Sequence, residues 1–496
     1  MSKLVLFFNL KCWESVFPIL SNLARSLEDR GISTHTIICP NGWKCDALRP
    51  VNPDPPNCPW GRELLEGCIE REQLSHSCGH EYCDAFNRQR YEYIAETLAK
   101  EPRPCYEGIV LDEVIKASLA RYLRAVYDPS KAAHRNARLE FIKDALCWIE
   151  AANRILDHWQ PTAIVIWGGT FYAERITGML ARSRGIRVIA VENTAFGDRI
   201  YVEKAGVTGN RHSAAHNWHW LEARALTPLE KQRLYDYLSG VHKGVASWVA
   251  QPSAASRKEI CDFLGIEPNK RLALLIGQVA IDSVVMMDSP IFPDMRDFIT
   301  TTAEIAAHHP DYHLVVRLHP VEALWQDNMT LKRLEGWQPP ANCSIVHSQQ
   351  LNTYALMRES ELGITLCSQA GLEMLSMGKP VVVAGKAFYA GKGLTHDVPS
   401  AAVYPAVLAE ALREPQFTEA QREGVEKLLY HMIFEQLVPF NRETLSVTPQ
   451  AADALVNHGP FKGLWQEPKE EKSAPPAYIP PAVPLELPAF AEIAAG

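Results

Sequence analysis

Short apolar runs alternate along the chain with stretches in which apolar residues recur at helical spacing. The chain opens with KLVLFFNL, continues through an apolar-periodic stretch over residues 13–27, and reaches STHTIIC just after Gly31. This order predicts a strand, a helix that ends near Gly31, and a second strand. The first segment is therefore expected to form a βαβ unit.

Two further groups of strands and helices follow. The first contains the strand TAIVIW (162–167), a glycine-rich turn, a helix and the strand IRVIAV (186–191), preceded by a long helical stretch over 131–158. The second starts with RLALLIG near residue 271 and alternates strands with helices as far as residue 384. Continuous apolar strands separated by amphipathic helices are typical of a parallel sheet covered on both faces.

A helical, polar stretch around residues 226–260 separates the two groups. We therefore predict an α/β protein with two Rossmann-like domains that face each other across a cleft. The N-terminal domain is predicted over residues 1–245 and the C-terminal domain over 246–460. The segment 468–496 contains seven prolines and has no period, so it is predicted to be a disordered tail.

A Cys-rich insertion without a clean period is predicted over about residues 40–105. It contains or adjoins His80 and six cysteines: Cys39, Cys45, Cys58, Cys68, Cys78 and Cys83. A zinc site typically uses closely paired ligands, and no C-x2-C pair occurs in this stretch. The irregular spacing favours buried thiols, and we expect no metal.

The composition narrows the class of protein. Lys and Arg number 50 against 58 Asp and Glu in 496 residues, which gives a net charge of −8. This balance disfavours nucleic acid as the main partner. No stretch approaches the roughly 20 apolar residues that a bilayer crossing needs, and the apolar run 4–10 is too short for a signal peptide. These features predict a cytoplasmic protein.

Ligands of open α/β sheets bind beyond the carboxyl ends of the strands, so the residues that follow each apolar run are the candidates. His319 and Pro320 follow YHLVVRL, Gln278 follows RLALLIG, and the turn CSQAG (367–371) follows LGITL. In the N-terminal group, Glu192 follows IRVIAV. No phosphate-binding G-x-x-x-x-G-K-[ST] or G-x-G-x-x-G motif follows any strand, which disfavours an NTPase or a dinucleotide oxidoreductase.

The turn at Ser368 leads into a predicted helix. Free backbone N–H groups and the positive end of a helix suit a phosphate, although an ordinary turn capped by Ser is the alternative. Glu373 lies in the first turn of that helix, and a carboxylate accepts hydrogen bonds from sugar hydroxyls. A phosphate and a ribose bound together indicate a nucleotide.

His319 and an N-terminal carboxylate are the candidates for acid–base chemistry. The His319 imidazole is suited to bind a phosphate or to pass a proton to a leaving group, against the alternative of a core or capping histidine. Glu192 is suited to act as a general base or a nucleophile. Asp198 and Glu203 lie just beyond it and are alternatives, and a solvated surface carboxylate is the simpler explanation of any one of the three.

The segment 362–397 resembles the signature of the bacterial capsule polysaccharide biosynthesis family, whose members include the β-Kdo transferases. The signature reads S-x-x-G-x-E, then G-K-P-V, then G-x-x-F-Y-x-x-x-G-L-T, and the segment contains all of it: LGITLCSQAGLEMLSMGKPVVVAGKAFYAGKGLTHD. The resemblance extends to RLHP and GQVAIDSVV (277–285) and, more weakly, to residues 167–207. It covers residues 160–400.

This resemblance implies a GT-B glycosyltransferase that uses a CMP-activated 3-deoxy-ulosonic acid such as CMP-Kdo, with no other cofactor. The acceptor would be a glycan or glycolipid, reached from the cytoplasm or by peripheral association with the inner membrane. The resemblance also implies the residues of the donor site: Ser368, Gly371 and Glu373 for phosphate and ribose, His319 with Pro320 for the phosphate, and Gln278 and Asp282 along its lining.

One departure from the family pattern concerns the catalytic carboxylate. The best-matched branch has E-D-G at the strand end, with the Asp as the catalytic group, whereas this chain has Glu192-Asn193-Thr194. Glu192 or Asp198 takes that role, or the chain is inactive. Three interpretations therefore stay open: a Kdo-like transferase, a GT-B transferase or epimerase that uses a UDP-sugar, and a non-catalytic capsule-assembly protein.

Overall fold

The computed structural model describes most of the chain, with gaps. The described residues are 4–10, 16–38, 67–83, 85–204, 218–243, 251–280, 282–324, 329–347 and 350–464. Within them the strands form an eight-stranded sheet, a six-stranded sheet and a two-stranded ribbon. The two large sheets are the centres of the two α/β domains predicted from the sequence.

The first sheet is built mainly from the N-terminal part of the chain. Its central strands run parallel, and the strand that contains residues 199–203 is antiparallel to its neighbour. The strands of this half of the chain are β1 (Leu4–Asn9), β2 (Ser33–Ile38), β3 (His76–Cys78), β4 (Cys105–Tyr106), β5 (Ile109–Val110), β6 (Ala163–Trp167), β7 (Arg187–Asn193) and β8 (Arg199–Glu203). In the sheet the order is β8-β7-β6-β1-β2-β3, while β4 and β5 form the separate ribbon.

Helices cover both faces of this sheet because its inner strands are buried on both sides. Val16–Glu28 packs on one face, and Leu111–Leu123, Ala132–Trp159 and Tyr172–Ser183 pack on the other. The long helix is held by Trp148, which is fully buried and whose indole N–H donates to the carbonyl of Ala173 at 2.8 Å. This bond fixes the helix that follows β6, and with it the end of β6.

The second sheet is parallel throughout and has the order β11-β10-β9-β12-β13-β14. Its strands are β9 (Arg271–Ile276), β10 (Tyr312–Arg317), β11 (Cys343–Val346), β12 (Leu362–Thr365), β13 (Val381–Val383) and β14 (His396–Asp397). The helices of this half of the chain are Trp218–Ala223, Pro228–Val241, Arg257–Leu264, Ser283–Asp288, Met295–Ala307, Met329–Arg333, Thr353–Glu359, Ala370–Ser376, Tyr404–Arg413 and Glu419–Tyr430. The predicted cycle of strands and helices from residue 271 to 384 is present.

The end of the described chain returns to the first sheet. After a π-helical turn at His431–Gln436, β15 (Val438–Asn441) pairs antiparallel with β8, β16 (Ser446–Val447) pairs with β15, and the helix Pro449–Asn457 packs on the N-terminal core. This return completes a GT-B type of architecture and confirms the predicted fold class.

The domain limits differ from the predicted 1–245 and 246–460. Residues 438–464 belong to the first sheet, whereas Leu234 and Leu238 of helix Pro228–Val241 lie in the core of the second domain. Apolar periodicity shows that a segment has a buried face, but it does not show which sheet covers that face. Without β15 the edge of β8 would be exposed to solvent. Pairing with β15 covers that edge, which explains why the last strands return to the first sheet.

Part of the Cys-rich insertion and the predicted tail lie outside the described residues. This applies to Cys39, Cys45 and Cys58, and to the segment 465–496. Of the other cysteines, Cys68 is buried and both Cys78 and Cys83 are half-buried, and none of these three forms a disulfide within the described residues. In the described part of the chain no group of three His, Cys, Asp or Glu side chains is arranged to hold a metal ion, and no helix is long and apolar enough to cross a membrane.

In a chain that stops after residue 437 the N-terminal domain should fail to fold, whereas a chain that stops after residue 464 should fold. The first truncation exposes the edge of β8 and removes Phe440, Leu455 and Phe461, each at most 4% exposed, from the core. Losing several large core side chains costs about 2–5 kcal/mol each. We expect the longer truncated chain to melt within about two degrees of the full chain in thermal unfolding and the shorter one to be insoluble or to lose a transition. Equal melting of the two would show that residues 438–464 are not part of this core.

Candidate functional site

On the N-terminal side, the candidate site is formed by the ends of β6 and β7. Gly168 and Gly169 follow β6 with φ of +61° and +76°, a region that favours glycine. The N–H of Gly168 donates to the carbonyl of Val191 at 3.0 Å. A Cβ at Gly168 would stand 3.2 Å from Oε2 of Glu192. The glycine turn therefore lets the Glu192 carboxylate lie against the backbone at the sheet edge.

On the C-terminal side, three strand ends supply the predicted donor-site residues. Gln278, after β9, is buried and its Oε1 accepts the N–H of Cys367 at 2.9 Å. His319, after β10, accepts the N–H of Val321 at Nδ1 over 3.2 Å. An acceptor Nδ1 places the proton of a neutral imidazole on Nε2, which is then a donor. Pro320 starts the 3-10 turn Pro320–Leu324 that holds this arrangement.

The charge of Asp282 shifts the pKa values of both Glu192 and His319. Burial, and then the negative charge of Asp282, raise the pKa of Glu192 to about 8. Burial lowers the pKa of His319, Asp282 opposes that shift, and Arg317 adds to it. Asp282 itself caps helix Ser283–Asp288 by accepting the N–H of Val284 at 3.1 Å. Asp282 of the second domain thus interacts electrostatically with Glu192 of the first domain and with His319 of its own domain.

Two hydrogen bonds hold the turn at Ser368. The Oγ of Ser368 accepts the N–H of Ala370 at 3.2 Å, and its carbonyl accepts the hydroxyl of Tyr389 at 2.5 Å. A Cβ at Gly371 would lie only 2.1 Å from that hydroxyl oxygen. The missing side chain at Gly371 therefore makes room for Tyr389, a reason that the sequence pattern does not reveal.

Glu373 points into the domain rather than to bulk solvent. It is 8% exposed, and its Oε1 accepts the hydroxyl of Tyr354 at 3.3 Å. Burial raises the pKa of Glu373 to about 7, and the hydrogen bond from Tyr354 opposes the shift. Near neutral pH this carboxyl group can accept or donate a hydrogen bond, and its predicted contact with a ribose stays a prediction.

The other N-terminal carboxylates lie in contacts between the domains. Asp198 accepts the hydroxyl of Tyr237 at 2.5 Å and forms an ion pair with Arg199 at 2.9 Å. Glu203 accepts a hydrogen bond from the side chain of Gln436 in the π-helical turn. Asp282, by contrast, acts on the pKa of Glu192.

Asn193 stands where the resembling family branch has an aspartate. Its side-chain oxygen is buried, and in the described part of the structure no hydrogen-bond partner contacts that atom. An amide cannot act as a general base, so the position of Glu192 gains importance for any acid–base chemistry at this strand end.

Gln369 joins the two sides of the candidate site, and the sequence did not suggest it. It follows Ser368 in the turn, and its Oε1 accepts the backbone N–H of Ala195 at 2.9 Å. This bond joins the predicted nucleotide turn to the segment that follows Glu192. No sequence signal identifies it, because the two residues lie 174 positions apart.

The family model described as "Capsule polysaccharide biosynthesis protein" matches residues 235–426. This stretch, the capsule family segment, is similar to that family. Every C-terminal candidate described above lies within the capsule family segment, whereas Glu192 and Asp198 lie outside it. The family match thus covers the predicted donor side of the cleft.

Individual relatives are distant and longer than the matched part. The protein FixF of Sinorhizobium fredii is 20% identical over 294 residues, which are 58% of this chain and 64% of FixF. The capsule polysaccharide export protein KpsS of Escherichia coli is 27% identical over 154 residues, 31% of this chain and 39% of KpsS. The chain therefore spans less than two thirds of these curated relatives. Among solved structures, the β-Kdo 2,4 transferase KpsC of Thermosulfurimonas dismutans covers 60% of this chain and 88% of its own at 17% identity, with a TM-score of 0.40.

The Glu192→Gln variant should become increasingly stable relative to the wild type as the pH rises. With a pKa of about 8 in the folded state and 4.5 as its ordinary value, Glu192 makes the folded chain bind more protons between these limits. Its contribution to stability is present below pH 4.5 and is lost as the pH rises through about 8. We expect the difference in melting temperature, variant minus wild type, to grow by several degrees between pH 5 and pH 9.

The exposed Glu335→Gln variant is the control and should show no such trend. A difference for Glu192→Gln that stays constant with pH would mean that Glu192 is ionised in the folded protein throughout this range.

Proposed function

We propose that the chain is a glycosyltransferase that moves a Kdo-like 3-deoxy-ulosonic acid from its CMP ester to a glycan or glycolipid acceptor. The observation that carries the proposal is that Asp282, after a strand of the second sheet, interacts electrostatically both with Glu192 of the first sheet and with His319 of the second. A transfer between two substrates needs groups from both sides of a cleft, and this trio supplies them. The capsule family segment and the name of KpsS connect the chain to capsule polysaccharides.

The second sheet offers the groups that a nucleoside monophosphate needs. The Nε2–H of His319 and the turn at Ser368 are suited to the single phosphate, and the carboxyl group of Glu373 is suited to ribose hydroxyls. Because a CMP-sugar carries one phosphate, these donors can satisfy it without a divalent ion, and we expect no metal requirement. Gln278 supports the site by tying the end of β9 to Cys367.

In this proposal Glu192 acts as the general base. In the proposed step its carboxylate takes the proton of the acceptor hydroxyl while that oxygen bonds to the anomeric carbon of the donor. The bond between the anomeric carbon and the phosphate oxygen breaks, and CMP leaves with the electron pair. His319 stabilises the charge that develops on the leaving phosphate by donating from Nε2. Since the base form of Glu192 requires loss of a proton with a pKa of about 8, transfer should increase with pH up to that value.

CMP should raise the melting temperature of the chain more than UDP, GDP or ADP does. A ligand that binds only the folded state stabilises it by about 2.7 kcal/mol at a concentration 100 times its Kd. For a chain of this size we expect a shift of several degrees, measured by differential scanning fluorimetry with each nucleotide in turn. Stabilisation by UDP and not by CMP would replace the proposed donor with a UDP-sugar, and no stabilisation by any of them would favour a non-catalytic capsule-assembly protein.

Glu192→Gln should abolish transfer and keep CMP binding, whereas His319→Ala should weaken both. Removing a positioned base typically lowers the rate by about 10²–10⁴, while the CMP contacts come from the other domain. Transfer is measured as CMP release from CMP-Kdo in the presence of a membrane glycolipid fraction, and binding is measured by the thermal shift. Asp198→Asn is the matched control, because Asp198 is held by Tyr237 and Arg199. Near wild-type transfer by Glu192→Gln with loss in Asp198→Asn would reverse the assignment.

A further inference from the structure

The hydrogen bond from Ala195 to Gln369 crosses the cleft between the two parts of the candidate site. Gln369 lies directly after Ser368, and Ala195 lies three residues after Glu192. The amide N–H of Ala195 donates to Oε1 of Gln369 at 2.9 Å, a well-formed length for such a bond. The two contacting residues are thus neighbours, along the chain, of the proposed phosphate turn and of the proposed base.

The segment that carries Ala195 is rigid on its own side. The hydroxyl of Thr194 accepts the N–H of Phe196 at 2.9 Å and lies 3.1 Å from the carbonyl of Arg199, and Thr194 is 5% exposed. These bonds tie the turn after β7 to the start of β8. A displacement of Ala195 therefore moves the end of β7 with it, and Glu192 is in that end.

Phe196 anchors the same segment in the second domain. Its side chain is 3% exposed and belongs to the C-terminal core, with its ring 5.9 Å from that of Tyr237 in an edge-to-face contact. Residues 194–196 therefore form a wedge: a segment of the first domain that is inserted into the second. Gln369 contacts this wedge at the backbone N–H of Ala195.

Gln369 is fixed by its own turn as well. Its backbone has φ −60° and ψ −25°, and its carbonyl accepts the N–H of Leu372 at 2.9 Å. Its side chain does not cap the helix Ala370–Ser376 that it precedes. The amide oxygen is thus committed to the other domain instead of to its own helix.

We infer that Gln369 is a positioning residue that links occupancy of the phosphate turn to the location of Glu192. An anion at Ser368 orders the backbone that carries Gln369, and the bond to Ala195 passes that order to the end of β7. The inference rests on the proposed function, because it takes the Ser368 turn as the phosphate site. It adds that Gln369 must accept the hydrogen bond from Ala195 if an anion bound at Ser368 is to affect the location of Glu192.

Amide hydrogen exchange of residues 193–198, with and without CMP, tests this role in the full chain. In the wild type we expect CMP to slow exchange at Ala195. Gln369→Leu removes the acceptor, so exchange of this amide without ligand should be about five- to tenfold faster, the factor for loss of one hydrogen bond. In this variant CMP should still bind with a Kd within about threefold of the wild type, yet leave exchange at 193–198 unchanged.

Two further variants separate a positioning role from a general loss of stability. Gln369→Glu keeps an acceptor oxygen at the same place and should retain slow exchange at Ala195. Gln232→Leu removes an exposed glutamine that bonds Asp236 within its own helix and should leave residues 193–198 unaffected. Fast exchange in Gln369→Glu as well as in Gln369→Leu would overturn the inference.

The outcomes also separate this inference from the proposed function. If CMP binds the wild type and exchange at 193–198 does not change, or if Gln369→Leu still responds, the inference is wrong and the proposed function stands. If CMP does not bind the wild type, the proposed donor is wrong. The comparison without ligand then decides the inference, because equal exchange of Ala195 in the wild type and in Gln369→Leu would overturn it.

Discussion

The candidate site depends on the wedge of residues 194–196, which fixes the edge of the first sheet against the second. Neither sheet edge alone brings Glu192 and Asp282 together. Phe196 is buried in the C-terminal core, and the antiparallel pairing of β15 with β8 returns the chain to the first sheet beside the wedge. Two independent attachments therefore hold the strand end that carries Glu192. An apolar side chain buried in the neighbouring domain is a stronger constraint than a surface ion pair, since its burial is not screened by water or salt.

The contact between the two domains also explains the pKa shifts of Glu192 and His319. A carboxyl group that loses water and faces another carboxylate is easier to protonate, and both causes act on Glu192. A buried imidazole is harder to protonate, and burial is the main cause for His319. The site therefore holds an imidazole that favours its neutral form on one side and a carboxyl group with a pKa of about 8 on the other. Such opposed shifts at one cleft are typical of functional sites.

The capsule family segment and the geometry describe different parts of the molecule. The family match covers residues 235–426, which contain the turn at Ser368 and the strand ends with Gln278 and His319. The return of residues 438–464 to the first sheet and the position of Glu192 lie outside it. Sequence similarity to the family therefore concerns the second domain, and contacts in the structure connect that domain to the first.

The sequence by itself determined the elements and the edge of each sheet at which the candidates lie. Apolar runs such as RLALLI and IRVIAV predict buried parallel strands, and the carboxyl ends of parallel strands must share an edge, so His319, Ser368 and Glu192 could be selected from the chain alone. Three things were decided only by the tertiary structure: the return of β15 to β8, the space that Gly371 leaves for Tyr389, and the bond between Gln369 and Ala195. Each of these contacts joins residues that are not neighbours along the chain. Hydrophobic periodicity predicts which face of an element is buried, but it does not predict which other element covers that face.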